Sequence, residues 1–148
     1  MNFDHQEMTS EYILEQWRLR KSSLDWRPLS ENEKNEWLDA CLAWRGLPDQ
    51  QIKAFNYIVD GSQVNSRLGF YCLLGESFFG YRGYFGRDSH GFNDCFSEIA
   101  LFEKTKSLVE EGAKVTFKNS KQIREVLDSE FESILQALQR AGFKIKIE

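Results

Sequence analysis

Cysteine and histidine are scarce in this 148-residue chain, and each shortage argues against a class of protein. The three cysteines, Cys41, Cys72 and Cys95, are odd in number and form no C-x-x-C pair, which disfavours a disulfide framework or a zinc site. The two histidines, His5 and His90, belong to no metal-binding motif. We therefore expect no metal and no cofactor, and we predict buried free thiols.

Long apolar runs are missing as well. No stretch approaches the roughly 18 apolar residues of a membrane-spanning helix, and the first fifteen residues lack the basic and apolar blocks of a secretion signal. These absences predict a cytoplasmic protein without membrane contact.

The net charge of −4 is unevenly distributed. Residues 1–50 carry ten acidic and six basic residues, whereas residues 51–148 carry thirteen of each. Because phosphate binding requires a basic surface, an acidic chain is a poor direct partner for nucleic acid. Its charge can instead attract a basic protein.

Catalytic motifs are weak in this sequence. The glycine-rich stretch 80–86 follows no strand directly and precedes no Walker lysine, which disfavours a phosphate-binding loop. Cys95 follows His90 by five residues, about 500° of helical rotation, so the two side chains point to different faces. We predict that the protein is not an enzyme, and a small hydrolase that uses Cys95 or His90 is a distant alternative.

Two helices are predicted in the first fifty residues. Thr9 or Ser10 can cap the first, and Ser30–Glu33 forms a capping box before the second. Apolar residues then recur at helical spacing until Gly46, and a polar junction is expected at residues 46–52. Residues 1–50 therefore read as a helical N-terminal extension, in which four tryptophans are expected to pack.

The remaining residues, 53–148, alternate between strand and helix patterns. Strands are predicted at 54–59, 114–118 and 143–147, and helices at 66–79, from 88 or 89 to 99 or 112, and at 121–141 as one helix or a pair. This order requires helical crossovers between parallel strands. The sequence predicts an α/β domain with two layers, in which helices cover a three-stranded parallel sheet, plus the N-terminal helices.

The segment from residue 80 to 96 carries a binding pattern. Tyrosine and arginine, which are favoured at interfaces, crowd its loop at Tyr81, Arg82, Tyr84 and Arg87. Tyr84 fits an interface or the core equally well. Phe92 and Phe96 are four residues apart and are expected in the core, so Asp94 between them should face outward.

Two triplets in this segment, Tyr84-Phe85-Gly86 and Asp94-Cys95-Phe96, resemble the inhibitory loop and helix of barstar-family ribonuclease inhibitors. Residues 58–62 resemble the first strand and turn of that family, 131–136 its last helix, and 143–147 its last strand. The resemblance covers residues 53–148, about two thirds of the chain, and it implies a barstar-like fold.

The same resemblance implies a function. The protein would be an immunity or antitoxin protein that binds a ribonuclease-like toxin and occludes its active site, with Asp94 in the position of a phosphate. The composition of the loop and the resemblance together predict these partner-binding residues: Tyr81, Arg82, Tyr84, Arg87, Asp88, His90, Asn93, Asp94 and Arg140. Among the main contact residues of the family, only Tyr84 and Asp94 match cleanly.

Several positions depart from the family pattern. Asp88 replaces an asparagine, His90 the first inhibitory aspartate and Asn93 a tryptophan, while Arg140 falls near acidic contact positions of the last helix. These departures point to an inhibitor of a different enzyme. The alternative is a barstar-fold interaction module or scaffold without a nuclease target, which uses its N-terminal helices.

Overall fold

The computed structural model describes residues 7–21, 23–46 and 54–148. His5 and nearly all of the expected junction at residues 46–52 lie outside these ranges, as does the predicted boundary between residues 50 and 53. The elements in chain order are α1 (Ser10–Arg18), α2 (Glu31–Arg45), β1 (Asn56–Asp60), α3 (Arg67–Phe79), α4 (Ser89–Ile99), α5 (Glu103–Glu110), β2 (Lys114–Lys118), α6 (Ser120–Leu127), α7 (Ser129–Arg140) and β3 (Lys144–Ile147), with a 3-10 turn at Gly61–Gln63.

The three strands form a parallel sheet with β2 in the centre. Tyr57 pairs with Val115, which pairs with Ile145 on the other side. Because side chains alternate along a strand, Tyr57, Val59 and Val115 enter the core, where α3 packs on β1, while Ile58 and Lys146 face outward. The predicted α/β fold with a three-stranded parallel sheet is confirmed.

Side-chain hydrogen bonds cap three helices at the starts that the sequence predicts. Thr9 accepts a hydrogen bond from the Tyr12 N–H, and Ser30 and Glu33 form the expected capping box. The carboxylate of Asp88 accepts from the Gly91 N–H at 2.6 Å and begins α4. α6 and α7 are separate helices because Asp128, at φ 51°, ends the first of them.

Aromatic side chains tie the segment 80–96 to the core. Phe85 and Phe92 are fully buried with ring centroids 4.7 Å apart, and Phe92 stacks on Phe96. The three cysteines are buried and free, as predicted. Burial raises the pKa of the Cys41 thiol to about 12.

The N-terminal helices share this core. The indoles of Trp17 and Trp37 meet edge to face at 5.2 Å, and both are buried. Lys34 of α2 is only 2% exposed and donates to Asn65 Oδ1 and Ser66 Oγ at the start of α3. α1 and α2 therefore pack on the α/β unit through buried contacts. None of the helices within the described ranges has the length and apolar character needed to cross a bilayer.

Candidate partner-binding site

The loop before α4 turns sharply at Gly86 and packs against the helix. Gly86 has φ +90°, and a Cβ at this position would lie 2.5 Å from the Phe92 backbone nitrogen. Only glycine fits both the left-handed backbone and the close approach. Phe85 is buried, and Tyr84, 8% exposed, follows the backbone of α3, since a Cβ on Gly75 would lie 3.1 Å from the Tyr84 Cα.

One exposed stripe runs along α4. His90, Asp94 and Glu98 follow one another at four-residue intervals, so they share one helix face, and all three are exposed. Asp94 faces outward, as its position between the buried rings of Phe92 and Phe96 predicts. The stripe presents two carboxylates and one imidazole to solvent.

A shallow groove of about 380 Å³ separates α4 from α7. Asn93 of α4 and Arg140 of α7 both line this groove, although they are distant in sequence. Its lining residues, mostly small and apolar, are Asn93, Phe96, Ser97, Ala100, Ala137, Arg140 and Ala141. The groove lies beside the exposed stripe because Asn93 and Asp94 are consecutive on α4.

Two of the predicted contact residues of the loop face the N-terminal helices. The Tyr81 hydroxyl accepts from Trp17 Nε1 at 3.0 Å and donates to the Leu24 carbonyl at 2.9 Å. The guanidinium of Arg82 lies over the rings of Trp44 and Trp17, at 4.6 and 5.0 Å. Both side chains join the loop to α1 and α2.

Arg87 connects the loop to α2 as well. Its Nη1 donates to Asn35 Oδ1 at 2.9 Å and forms an ion pair with Asp39 at 2.7 Å. Its guanidinium also lies 5.8 Å from the Tyr84 ring centroid. Asn35 and Asp39 thus belong to the surroundings of the candidate site, although the sequence pattern singles out neither.

A partly exposed ion pair lies beside the first turn of α4. Arg67 donates twice to the carboxylate of Glu130, and the Tyr71 hydroxyl donates to it at 2.9 Å. The backbone of Ser89, at the start of α4, further lowers the pKa of this carboxylate. Burial pulls the pKa of Glu130 upward, but the hydrogen bonds from Arg67 and Tyr71 outweigh it and lower the pKa below its ordinary value.

The chemistry of the site does not resemble an activated nucleophile. Burial, followed by the charges of Asp94 and Glu98, raises the pKa of Cys95 to about 11, whereas a reactive thiol needs a lowered pKa. Among the described residues, no three His, Cys, Asp or Glu side chains gather to hold a metal ion.

The fold and the site together define a class: a small α/β protein in which a glycine-rich loop presents an exposed acidic helix beside a three-stranded parallel sheet. A family model described as Barstar (barnase inhibitor) matches residues 54–146, well over half of the chain. The protein belongs to the barstar family, and the resemblance inferred from the motif is confirmed. No curated protein and no solved structure matches the chain. The family match begins just before β1 and leaves α1 and α2 outside it.

Proposed function

We propose that this protein is a cytoplasmic immunity or antitoxin protein, and not an enzyme, which binds a ribonuclease-like toxin and occludes its active site. The observation that carries the proposal is Asp94, an exposed carboxylate on the helix that follows the Tyr84-Phe85-Gly86 turn of a barstar-family chain. A ribonuclease active site is basic because it binds phosphate, so a carboxylate is the complementary group.

The rigidity of α4 supports this mechanism. Asp88 caps the helix, and Phe92 and Phe96 fix its inner face in the core. A group that is already held in its binding position loses little conformational entropy when the complex forms. In this mechanism Asp94 takes the place of a substrate phosphate and the helix excludes RNA from the nuclease.

The proposed contact surface has a centre and an edge. His90, Asn93, Asp94 and Arg140 form the centre, on the exposed stripe and the adjoining groove. The loop residues form the edge, where their buried parts hold the loop and their exposed parts meet the partner: Tyr81, Arg82, Tyr84, Arg87 and Asp88.

The target differs from that of barstar itself in this proposal. His90 stands at the position of an inhibitory carboxylate, and residues 51–148 carry equal numbers of acidic and basic side chains. The surface therefore offers less negative charge, and it suits a nuclease with a less basic rim.

Copurification tests the proposal. The nuclease domain of a toxin encoded next to this chain is coexpressed with the wild type, with Asp94→Ala, and, as a matched control, with Glu125→Ala at an exposed position of α6. We expect the wild type and the control to retain and inhibit the nuclease and Asp94→Ala to lose it. If the cognate nuclease binds all three equally well, the active-site mechanism is wrong.

A second candidate is an interaction module or scaffold that uses its N-terminal helices. The exposed part of the Trp44 ring, which packs over Arg82, favours it, since tryptophan and arginine are common interface anchors. For this function, Trp44→Ser weakens partner binding whereas Asp94→Ala does not. For the nuclease inhibitor, Asp94→Ala is instead expected to lose binding.

A further inference from the structure

The loop between α3 and α4 depends on groups outside its own sequence for its shape. Gly80 and Gly86 adopt positive φ angles, and Arg82 does so as a non-glycine residue at φ 69°. Within the loop, one backbone hydrogen bond joins the Gly83 N–H to the Gly80 carbonyl. Since glycine-rich segments lose much conformational entropy on ordering, contacts from neighbouring elements must hold this loop.

α2 supplies such contacts at both ends of the loop. At the beginning, Arg45 donates to the carbonyls of Phe79 and Tyr81, at 2.9 and 3.1 Å. At the end, Asn35 and Asp39 bind the Arg87 guanidinium. These donors and acceptors lie on one helix, about one turn to three turns apart, and the helix lies outside the region that the family model matches.

We infer that α2 is part of the partner-binding unit, with Asn35 and Asp39 as positioning residues that hold Arg87, and through it Tyr84 and the loop 80–87, in the binding conformation. The inference rests on the proposed function only in that this loop meets the partner. It assigns a role in binding to the N-terminal extension, and it makes the inhibitory surface dependent on two segments distant in sequence.

The physical consequence is a change in the population of loop conformations. When only a fraction of molecules has the competent loop, the apparent dissociation constant rises in inverse proportion to that fraction. Asp39 is 41% exposed and Arg87 is half-buried, so their ion pair is partly screened by solvent. Loss of this pair together with the Asn35 hydrogen bond should open the loop roughly fivefold more often.

Hydrogen exchange in the full chain tests the inference without any nuclease. The test variant is Asn35→Ala/Asp39→Ala, and the matched control is Asn32→Ala/Glu110→Ala, which also removes one amide and one carboxylate from exposed helical positions. The amides of Gly80 and Gly83 report the loop because both donate hydrogen bonds. The amides of Val115 and Phe117 report the sheet.

We expect exchange at Gly80 and Gly83 to rise roughly fivefold in the test variant, with unchanged exchange in the sheet and no effect of the control. Unchanged loop exchange would overturn the inference, and so would an equal rise in loop and sheet, which reports only lower global stability.

Binding provides the second measurement. The nuclease domain that the wild type retains should bind the test variant more weakly, by the factor by which the exchange data show the closed fraction of the loop to fall, at most roughly fivefold. An affinity loss that disagrees with this factor would also overturn the inference. Should the wild type retain no nuclease, the proposed function fails, while the exchange experiment still decides whether α2 positions the loop.

Discussion

Arg67 and Glu130 lie 63 residues apart in the chain, yet two hydrogen bonds of 2.6 and 2.9 Å join the guanidinium of one to the carboxylate of the other. The pair connects the start of α3 to the start of α7, and the Ser89 backbone at the start of α4 is close enough to lower the pKa of Glu130. The ion pair that lies beside the start of the exposed acidic helix α4 is therefore outside the motif that identifies the family.

Glu130→Gln should destabilise the fold by about 1–2 kcal/mol at pH 7, the lower part of the range for charged hydrogen bonds because Arg67 is 41% exposed. The lowered pKa of Glu130 means that its contribution is present above the unfolded value near 4.3 and is lost as pH falls through the folded pKa. Urea unfolding at a series of pH values from 7 downward measures this, and the difference between the wild type and the variant should shrink as the pH falls.

Asp94→Ala should weaken nuclease binding by at least about 30-fold, because loss of one partner of a buried charge pair costs about 2 kcal/mol or more, an effect for which barnase and barstar are themselves the reference case. Its stability should change by less than about 0.5 kcal/mol, since the side chain is exposed. Calorimetric titration and thermal unfolding measure the two quantities. A variant that binds weakly because it is unfolded would contradict the prediction.

Gly86→Ala should introduce both backbone strain and a steric clash, whereas Gly46→Ala should introduce backbone strain alone. Both glycines have positive φ, but a Cβ at Gly46 meets nothing within 4 Å, whereas one at Gly86 lies against the backbone of α4. We expect a loss of about 1–3 kcal/mol for Gly46→Ala from strain alone. Gly86→Ala should lose about 1–3 kcal/mol more from overpacking, and equal losses in chemical denaturation would argue against the close approach.

Tyr81→Phe tests the contact between the loop and the N-terminal helices. The change leaves the Trp17 indole N–H and the Leu24 carbonyl without their partner, which should cost about 1–3 kcal/mol where these groups are buried. The tryptophan fluorescence should also change, since Trp17 loses its hydrogen bond. Tyr12→Phe, at a half-buried position on α1, is the control and should have little effect.

Local signals were sufficient to predict most of the fold. Thr9, Ser30 and Asp88 cap helices by bonds to residues three positions away, so their effect is visible in a short window of sequence. The alternation of apolar residues predicted β2 and β3 in the same way. The end of α4 at Ile99 and the division between α6 and α7 were each predicted as one of two alternatives.

The orientation of the loop could not be predicted, because it depends on distant partners. Tyr81 and Arg82 have the composition of an interface, but the rings and carbonyl that they contact belong to a segment at least 37 residues earlier. Glu130 looks like any solvated glutamate until α3 brings Arg67 to it. Sequence spacing identifies which residues share a helix face, and tertiary packing decides which of those faces remain open.

The reactivity of the Lys34 amine reports whether α2 remains packed on α3. Its ammonium group lies between α2 and the start of α3, bonded to Asn65 and Ser66 and 2% exposed. An amine-directed acylating reagent reaches this nitrogen only when α2 separates from α3, whereas the exposed lysines of β3 react at once. The acylation rate at one amine, read by mass spectrometry, therefore measures how often the family domain and its extension come apart.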